Sequence, residues 1–315
     1  MAMDDWTTLD VVHETHYDYA TPVNQALHLT HLKPSTGSHQ RLLAHELSIE
    51  PAPAQRNSDI DAHGNGREFF SLAQPHSELR VLSISRVAVS ARHADLNASA
   101  SPPWEAVRQR LRYQAGARYD PAVAFAQPSP LVPSLQPLRD YGAASFTPGK
   151  PLALGAIELM QRIYADFEFE TSSTEVDTPL IDAFTQRCGV CQDFTHVMIA
   201  ALRMQGLAAR YVSGYLLTSA APGQPVLQGA DASHAWVQVY SPDTPGVGDH
   251  WLDLDPTNNL VPGLGHVRLA VGRDYSDVTP LRGVIRGGGA HTLTVRVTTR
   301  RVEAEPLPSH STRDA

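Results

Sequence analysis

The stretch RCGVCQDFTH, residues 187–196, contains both cysteines of the 315-residue chain, Cys188 and Cys191. Apolar residues then recur at the spacing of one helix face: Phe194, Val197, Met198, Ala201 and Leu202. Cys191 falls on this face in the first helical turn, where the helix dipole and free backbone N–H groups favour a thiolate. The same N–H groups could hold an oxyanion. The pattern therefore indicates a thiol nucleophile, which also needs a base and a group that orients the base.

Two predicted strands further along the chain supply candidates for both partners. The segments SHAWVQVY (233–240) and HWLDLDP (250–256) each alternate in polarity and are joined by a turn-rich loop. A tight hairpin places His234 directly opposite Asp255, with both side chains on the same sheet face. Asp253 shares that face and is the competing carboxylate. We expect Cys191, His234 and Asp255 to form a catalytic triad.

Three segments that contain these residues closely resemble the bacterial transglutaminase-like superfamily, whose members are often described as candidate cysteine proteases. They are GVCQDFTHVMIAALRMQGLAARYVSGYL, ASHAWVQVY and DLDPTNN, and the upstream ETHYDYATPV and DAHGNG resemble the β-domain that precedes the core in one bacterial branch. The resemblance implies that Cys191 is the nucleophile, His234 the base and later the acid, and Asp255 the orienting carboxylate. Val190 and Gln192 stand where animal transglutaminases carry Gln and Trp, which is a difference from the cross-linking enzymes.

The arrangement of predicted elements indicates an α+β protein with two main parts. Alternating strands fill the first hundred residues, and helical periodicities followed by strands fill the region after a proline-rich stretch. We expect an antiparallel β-sandwich-like domain followed by a papain-like, transglutaminase-like core of helices packed on an antiparallel sheet. The predicted boundaries are an N-terminal β-rich domain at 1–100, a Pro-rich connector at 101–150, the catalytic core at 151–290, and a final strand with a frayed tail at 291–315.

Composition restricts the partners that we expect. The chain has 25 Lys and Arg against 33 Asp and Glu, a net charge of −8, and no basic run, which argues against nucleic acid. No apolar run approaches the length of about 18 residues that would suggest a membrane span. The start has no secretory signal pattern and two cysteines cannot staple a chain of this size, so we expect a cytoplasmic location.

We predict neither a cofactor nor a metal ion. The His-x-x-His segments HETH and HLTH lie on predicted strands, where residues three apart face opposite sides, and there are no further cysteines for a zinc site. The expected activity is thiol-dependent acyl transfer on a peptide or protein amide, with hydrolysis or deamidation favoured over transamidation. Two alternatives stay open: a weakly active or inactive scaffold that serves as a protein-binding module, and a redox pair formed by the CxxC of Cys188 and Cys191.

Overall fold

The computed structural model of the chain describes residues 6–113, 115–116, 118–171, 173–218 and 233–302. Its strands are β1 (Trp6–Thr30), β2 (Gln40–Glu50), β3 (Gln55–Ile60), β4 (Gly66–Leu72), β5 (His76–Ser90), β6 (Glu168–Phe169), β7 (Cys188–Gly189), β8 (Ala209–Leu216), β9 (Ser233–Tyr240), β10 (Trp251–Leu254), β11 (His266–Gly272), β12 (Leu281–Gly287) and β13 (His291–Arg301). Its helices are α1 (Trp104–Arg110), α2 (Gln136–Ala143), α3 (Leu152–Asp166), α4 (Leu180–Gln186), α5 (Cys191–Met204) and α6 (Tyr275–Val278). The predicted α+β class is confirmed.

The long strand β1 is the centre of a seven-stranded antiparallel sheet. Its first half lies between β5 and β13, and its second half lies between β4 and β12. β2 pairs with β5 and β3 pairs with β4. Leu9, Val11, His13 and Thr15 are all buried on one face of β1, as their alternation predicts. The predicted antiparallel β-domain is therefore present, with its strands joined through β1 into one sheet.

The last two strands of the described chain return to this N-terminal sheet. β13 pairs with the start of β1, and β12 pairs with its end. The sequence places residues 281–290 in the catalytic core, whereas β12 hydrogen-bonds to β1 of the N-terminal sheet. A local period can reveal a strand but not a partner more than 200 residues away. The domain boundaries themselves stay a prediction, and the part of the predicted tail at 303–315 lies outside the described residues.

The helices pack into a large apolar core, which also includes a second, four-stranded sheet. Trp104 of α1 and Leu138 of α2 are buried in the same apolar cluster as Phe194 of α5, so helices within the predicted connector contribute to the core. The proline-rich stretch is an ordered loop that ends where α2 begins, with Pro137 in the first turn. Among the described residues no helix is long and apolar enough to cross a bilayer.

A four-stranded antiparallel sheet in the order β10-β9-β8-β11 forms the other side of this core. α5 packs against β8 and β9 and is buried on nearly every side, with Met198 and Ile199 inaccessible to solvent. The two sheets meet through a shared apolar cluster that contains Leu9 of β1, Tyr215 of β8 and Leu269 of β11. The first turn of α5 is thereby held beside the start of β9.

Candidate active site

The cysteine that we predict as the nucleophile is the first residue of α5. The carboxylate of Asp193 accepts hydrogen bonds from the backbone N–H of Val190, at 2.9 Å, and from the hydroxyl of Thr174, at 2.7 Å. Asp193 thus fixes the turn that enters the helix, because the first-turn N–H groups have no carbonyl partner one turn earlier. Cys191 is partly exposed and lies at the N-terminus of the helix.

The histidine and the aspartate meet as the sequence predicts, although the register of their hairpin differs. Trp251 pairs with Tyr240 and Leu254 pairs with Val237, which shifts β10 by two residues from the predicted alignment. The loop at 241–250 contains three residues with positive φ, Asp243, Gly246 and His250, and is wider than a tight turn. A shift of two residues preserves the face of every side chain, so His234 and Asp255 remain on the same sheet face although they are no longer directly opposite. Their Nε2 and Oδ2 atoms are 2.9 Å apart.

Asp255 is completely buried and is held by several donors. Its Oδ1 accepts from the backbone N–H of Thr257, at 3.0 Å, and of Asn258, at 3.2 Å, while Asn258 Nδ2 donates to Oδ2 at 2.9 Å. His266 Nε2 lies 3.2 Å from the same Oδ2. Burial opposes ionisation, but the charges and hydrogen bonds of His234 and His266 hold the pKa of the Asp255 carboxyl well below its usual range. Asp255 is therefore a fixed anion.

This anion controls the proton on His234. Burial alone lowers the pKa of the imidazole, yet the charge and hydrogen bond of Asp255, with a smaller contribution from Cys191, raise it to about 10. Nε2 faces Asp255, and Nδ1 has no hydrogen-bond partner within the described ranges. Cys191 is one of the groups that raise the pKa of His234, which indicates that the sulfur lies near the imidazole. The three predicted residues are thus brought together in the order sulfur, imidazole, carboxylate.

The competing carboxylate, Asp253, has a different set of partners. It accepts from the indole of Trp236 at 2.7 Å and from the amide of Gln238 at 3.0 Å. Arg92 and His93, which follow β5, lie 3.4 Å and 3.0 Å from its oxygens. Despite full burial, these groups hold the pKa of Asp253 well below its usual range. Asp253 therefore joins the two sheets and makes no hydrogen bond to His234 in the part of the chain that the structure describes.

Three residues near the site were not singled out from the sequence. Tyr211 of β8 and Tyr275 of α6 pack ring to ring at 6.1 Å, and burial, with a smaller contribution from the nearby Cys191, raises the pKa of both phenols. His266 contacts Asp255 and packs edge-on against Trp236, with ring centroids 5.3 Å apart. The alternation of HVRLAVG could have revealed β11 and hence His266, whereas the approach of α6 to α5 has no local signal.

One group of side chains here also has the composition of a metal site. Ligand atoms of His234, Asp255 and His266 all lie within 4.8 Å of one another, and all three residues are buried. Hydrogen bonds from two imidazole N–H groups to one carboxylate oxygen also explain why these atoms lie so close together. Cys188 and Cys191 are both free thiols, and Cys188 Sγ lies 3.9 Å from the side-chain oxygen of Gln186.

Comparison with known families agrees with this architecture. Residues 9–88 match the bacterial transglutaminase-like N-terminal region, and residues 143–256 match the transglutaminase-like superfamily. The second match includes Cys191, His234 and Asp255. An uncharacterized protein of Mycobacterium tuberculosis is 40% identical over 277 residues, which cover 87% of this chain and 86% of that protein. The chain belongs to the bacterial transglutaminase-like family.

Two further similarities extend over most of the chain. An uncharacterized protein of Mycobacterium leprae is 31% identical over 295 residues, covering 93% of this chain and 98% of that protein. A crystal structure of a candidate cysteine protease from Cytophaga hutchinsonii superimposes with a TM-score of 0.71 at 20% identity, covering 96% of this chain and 93% of that one. The similarity to this structure supports the fold of both parts of the molecule together.

Proposed function

We propose that the chain is a thiol-dependent acyl-transfer enzyme that acts on an amide through Cys191, His234 and Asp255. The observation that carries this proposal is the arrangement around His234. One ring nitrogen is bound to a buried carboxylate, and the other is left for the sulfur at the start of α5. A structural histidine in a core has no need of a free nitrogen beside a partly exposed thiol.

The proposed reaction begins with the substrate amide beside Cys191. His234 holds the proton of the thiol while sulfur attacks the carbonyl carbon, and the first-turn N–H groups of α5 face the developing oxyanion. When the C–N bond breaks, His234 gives this proton to the departing amine or ammonia, leaving a thioester. Water then loses a proton to His234 and attacks the thioester, which releases the acid and the thiol. An amine in place of water gives transamidation.

Hydrolysis or deamidation is the outcome that we favour. Water reaches any partly exposed thioester, whereas transamidation needs a site that holds an amine while excluding water. The substrate class of the proposal is a peptide or protein amide, including the carboxamide of glutamine. The proposal includes a cytoplasmic location, which the two unlinked thiols support.

The test is an activity screen with glutamine-containing peptides, in the presence and absence of a primary amine. Mass spectrometry of the products separates cleavage, deamidation and amine transfer. The wild-type chain is compared with Cys191→Ala and with the matched control Cys188→Ser. We expect Cys191→Ala to abolish product formation and Cys188→Ser to retain it. Equal activity in Cys191→Ala and the wild type would overturn the proposal.

The alternative is a scaffold that binds a partner protein without catalysis. Thiol labelling distinguishes the two proposals without a known substrate. A working thiol–imidazole pair predicts rapid modification of Cys191 by iodoacetamide near neutral pH, and slower modification in His234→Ala. Slow labelling that His234→Ala leaves unchanged would favour the scaffold. A Cys188–Cys191 disulfide with activity lost in Cys188→Ser would instead favour the redox interpretation.

A further inference from the structure

The second half of β1 forms the floor of an open groove on the N-terminal sheet. Strand pairing places Val284, Leu27, Ser71 and Gln55 in one row across β12, β1, β4 and β3. Arg282, Leu29, Phe69 and Asn57 form the next row. Residues opposite each other in a sheet share a face, and so do residues two apart along one strand. The two rows therefore lie on the same side of the sheet. Together they line a groove of about 860 Å³.

The floor of this groove is apolar and accessible. Val284 is 76% exposed, Leu27 is 66% exposed, and Phe69 between β1 and β3 is 39% exposed. A second groove of about 500 Å³ shares Leu27 and Val284 and continues toward Arg286. Single exposed apolar residues are ordinary, but a contiguous apolar floor in a concave sheet face marks a surface for a partner.

Arginines flank this floor, and carboxylates are missing from it. Arg282 and Arg286 lie two residues to either side of Val284 on β12 and therefore share its face. Neither forms an ion pair within the described residues, and neither groove is lined by an Asp or Glu. The chain as a whole carries a net charge of −8. The groove is thus a local cationic surface on an acidic protein.

We propose that this groove binds an extended, acidic segment of a partner protein. Alternate residues of an extended chain point to one side at intervals of about 6.6 Å, which equals the spacing of Arg282, Val284 and Arg286 along β12. A segment with an apolar residue between two alternate acidic residues matches both the floor and the two guanidinium groups. The proposal does not depend on the acyl-transfer activity, because none of the lining residues belongs to the catalytic set.

Another role for these arginines is protection of an edge. β12 is paired on one side only among the described strands, and charged side chains on edge strands discourage pairing with other chains. That role requires charge but gives no preference for an acidic ligand. Binding selectivity therefore separates the two interpretations.

The experiment is selection from a displayed library of random peptides on the full-length wild-type chain. The matched chains are Val284→Ser, the double variant Arg282→Glu/Arg286→Glu, and two controls outside the groove, Leu43→Ser and Arg112→Glu. We expect enriched peptides that combine Asp or Glu with apolar residues. Titration of the best peptide should show affinity reduced about tenfold or more in either groove variant and unchanged in both controls. Circular dichroism of each variant checks that it is folded.

Several results would overturn the proposal. Enrichment of basic peptides would contradict the charge argument, and no enrichment over the double variant would leave only edge protection. Tighter binding to anionic lipid vesicles than to any selected peptide would assign the surface to a membrane. Self-association that Val284→Ser abolishes, measured by sedimentation, would assign it to a second copy of the chain. All of these results are independent of whether Cys191 is catalytic.

Discussion

Asp253 of β10 and Asp255, which directly follows this strand, lie two residues apart on the same face, and both are fully buried with a depressed pKa. Their partners differ completely. Asp253 binds Arg92, which enters from the N-terminal sheet, whereas Asp255 binds two histidines of the core. Burial and ionisation alone therefore do not identify a catalytic carboxylate. The first charge therefore links the two sheets, and under the proposed function the second holds the imidazole of His234 for catalysis.

The substitution Asp255→Asn should separate these roles most strongly. The amide keeps the shape of the side chain but carries no negative charge. It therefore cannot stabilise the cationic form of His234. We expect the rate of amide turnover to fall by about 10³–10⁴, the size of effect seen when a triad carboxylate becomes an amide. The measurement is the rate on the substrate found in the peptide screen, alongside the rate of iodoacetamide labelling of Cys191. A loss of less than tenfold would argue against Asp255 as the orienting group.

Asp253→Asn should instead lower the stability of the fold and leave the reactivity of Cys191 unchanged. Removing its charge leaves Arg92 buried without a carboxylate, which costs about 3–5 kcal/mol of unfolding free energy in comparable buried pairs. We expect a lower denaturation midpoint with the labelling rate of Cys191 unchanged in the folded protein. Asp10→Asn, which breaks the exposed pair with Arg86, is the matched control and should cost less than about 1 kcal/mol. If the two variants unfold at the same denaturant concentration, Asp253 does not join the sheets as proposed.

The pair of His234 with Asp255 also predicts a dependence of stability on pH. The folded pKa of His234, about 10, lies above the ordinary value of 6.5, so its stabilising effect is complete below pH 6.5 and is lost as the pH rises toward 10. In that window the folded chain holds one proton more than the unfolded chain. The free energy of unfolding should therefore fall by up to about 1.4 kcal/mol per pH unit.

The measurement is chemical denaturation at several pH values in a Cys191→Ala background, which removes ionisation of that thiol. The same series in Cys191→Ala/Asp255→Asn should show a much flatter dependence between pH 7 and 10. Asp253→Asn in the same background should keep the slope. Equal slopes with and without Asp255 would show that His234 is not held as a cation by that carboxylate.

The sequence predicts the composition of the site better than its surroundings. Cys191 follows from the helix period, and His234 with Asp255 follows from alternation, since facing is set by whether a position is odd or even. That is why a hairpin shifted by two residues still brings the pair together. His266 and Tyr275 were missed because they arrive from β11 and α6, which no local pattern connects to α5. The return of β12 to β1 is non-local in the same way.

His266 distinguishes the two carboxylates most finely, because among the described residues it hydrogen-bonds to Asp255 and not to Asp253. Its Nε2 lies 3.2 Å from Oδ2, and burial lowers the pKa of this imidazole while Asp255 partly restores it. His266 therefore acts as a neutral donor that positions the carboxylate for His234. His266→Leu removes one hydrogen bond to a charged group, so we expect turnover to fall about tenfold through kcat with KM little changed.

A purely structural role for His266 makes a different prediction. Loss of packing alone would lower the free energy of unfolding in both His266→Leu and His266→Gln, with similar activity per folded molecule. A positioning role predicts that His266→Gln, whose amide can still donate to Asp255, recovers much of the turnover that His266→Leu loses. It also predicts that the basic limb of the pH profile moves to lower pH in His266→Leu, since a less firmly held carboxylate supports a lower pKa on His234. Activity that depends only on the folded fraction, with an unmoved pH profile, would leave Asp255 and His234 as a pair that needs no third group.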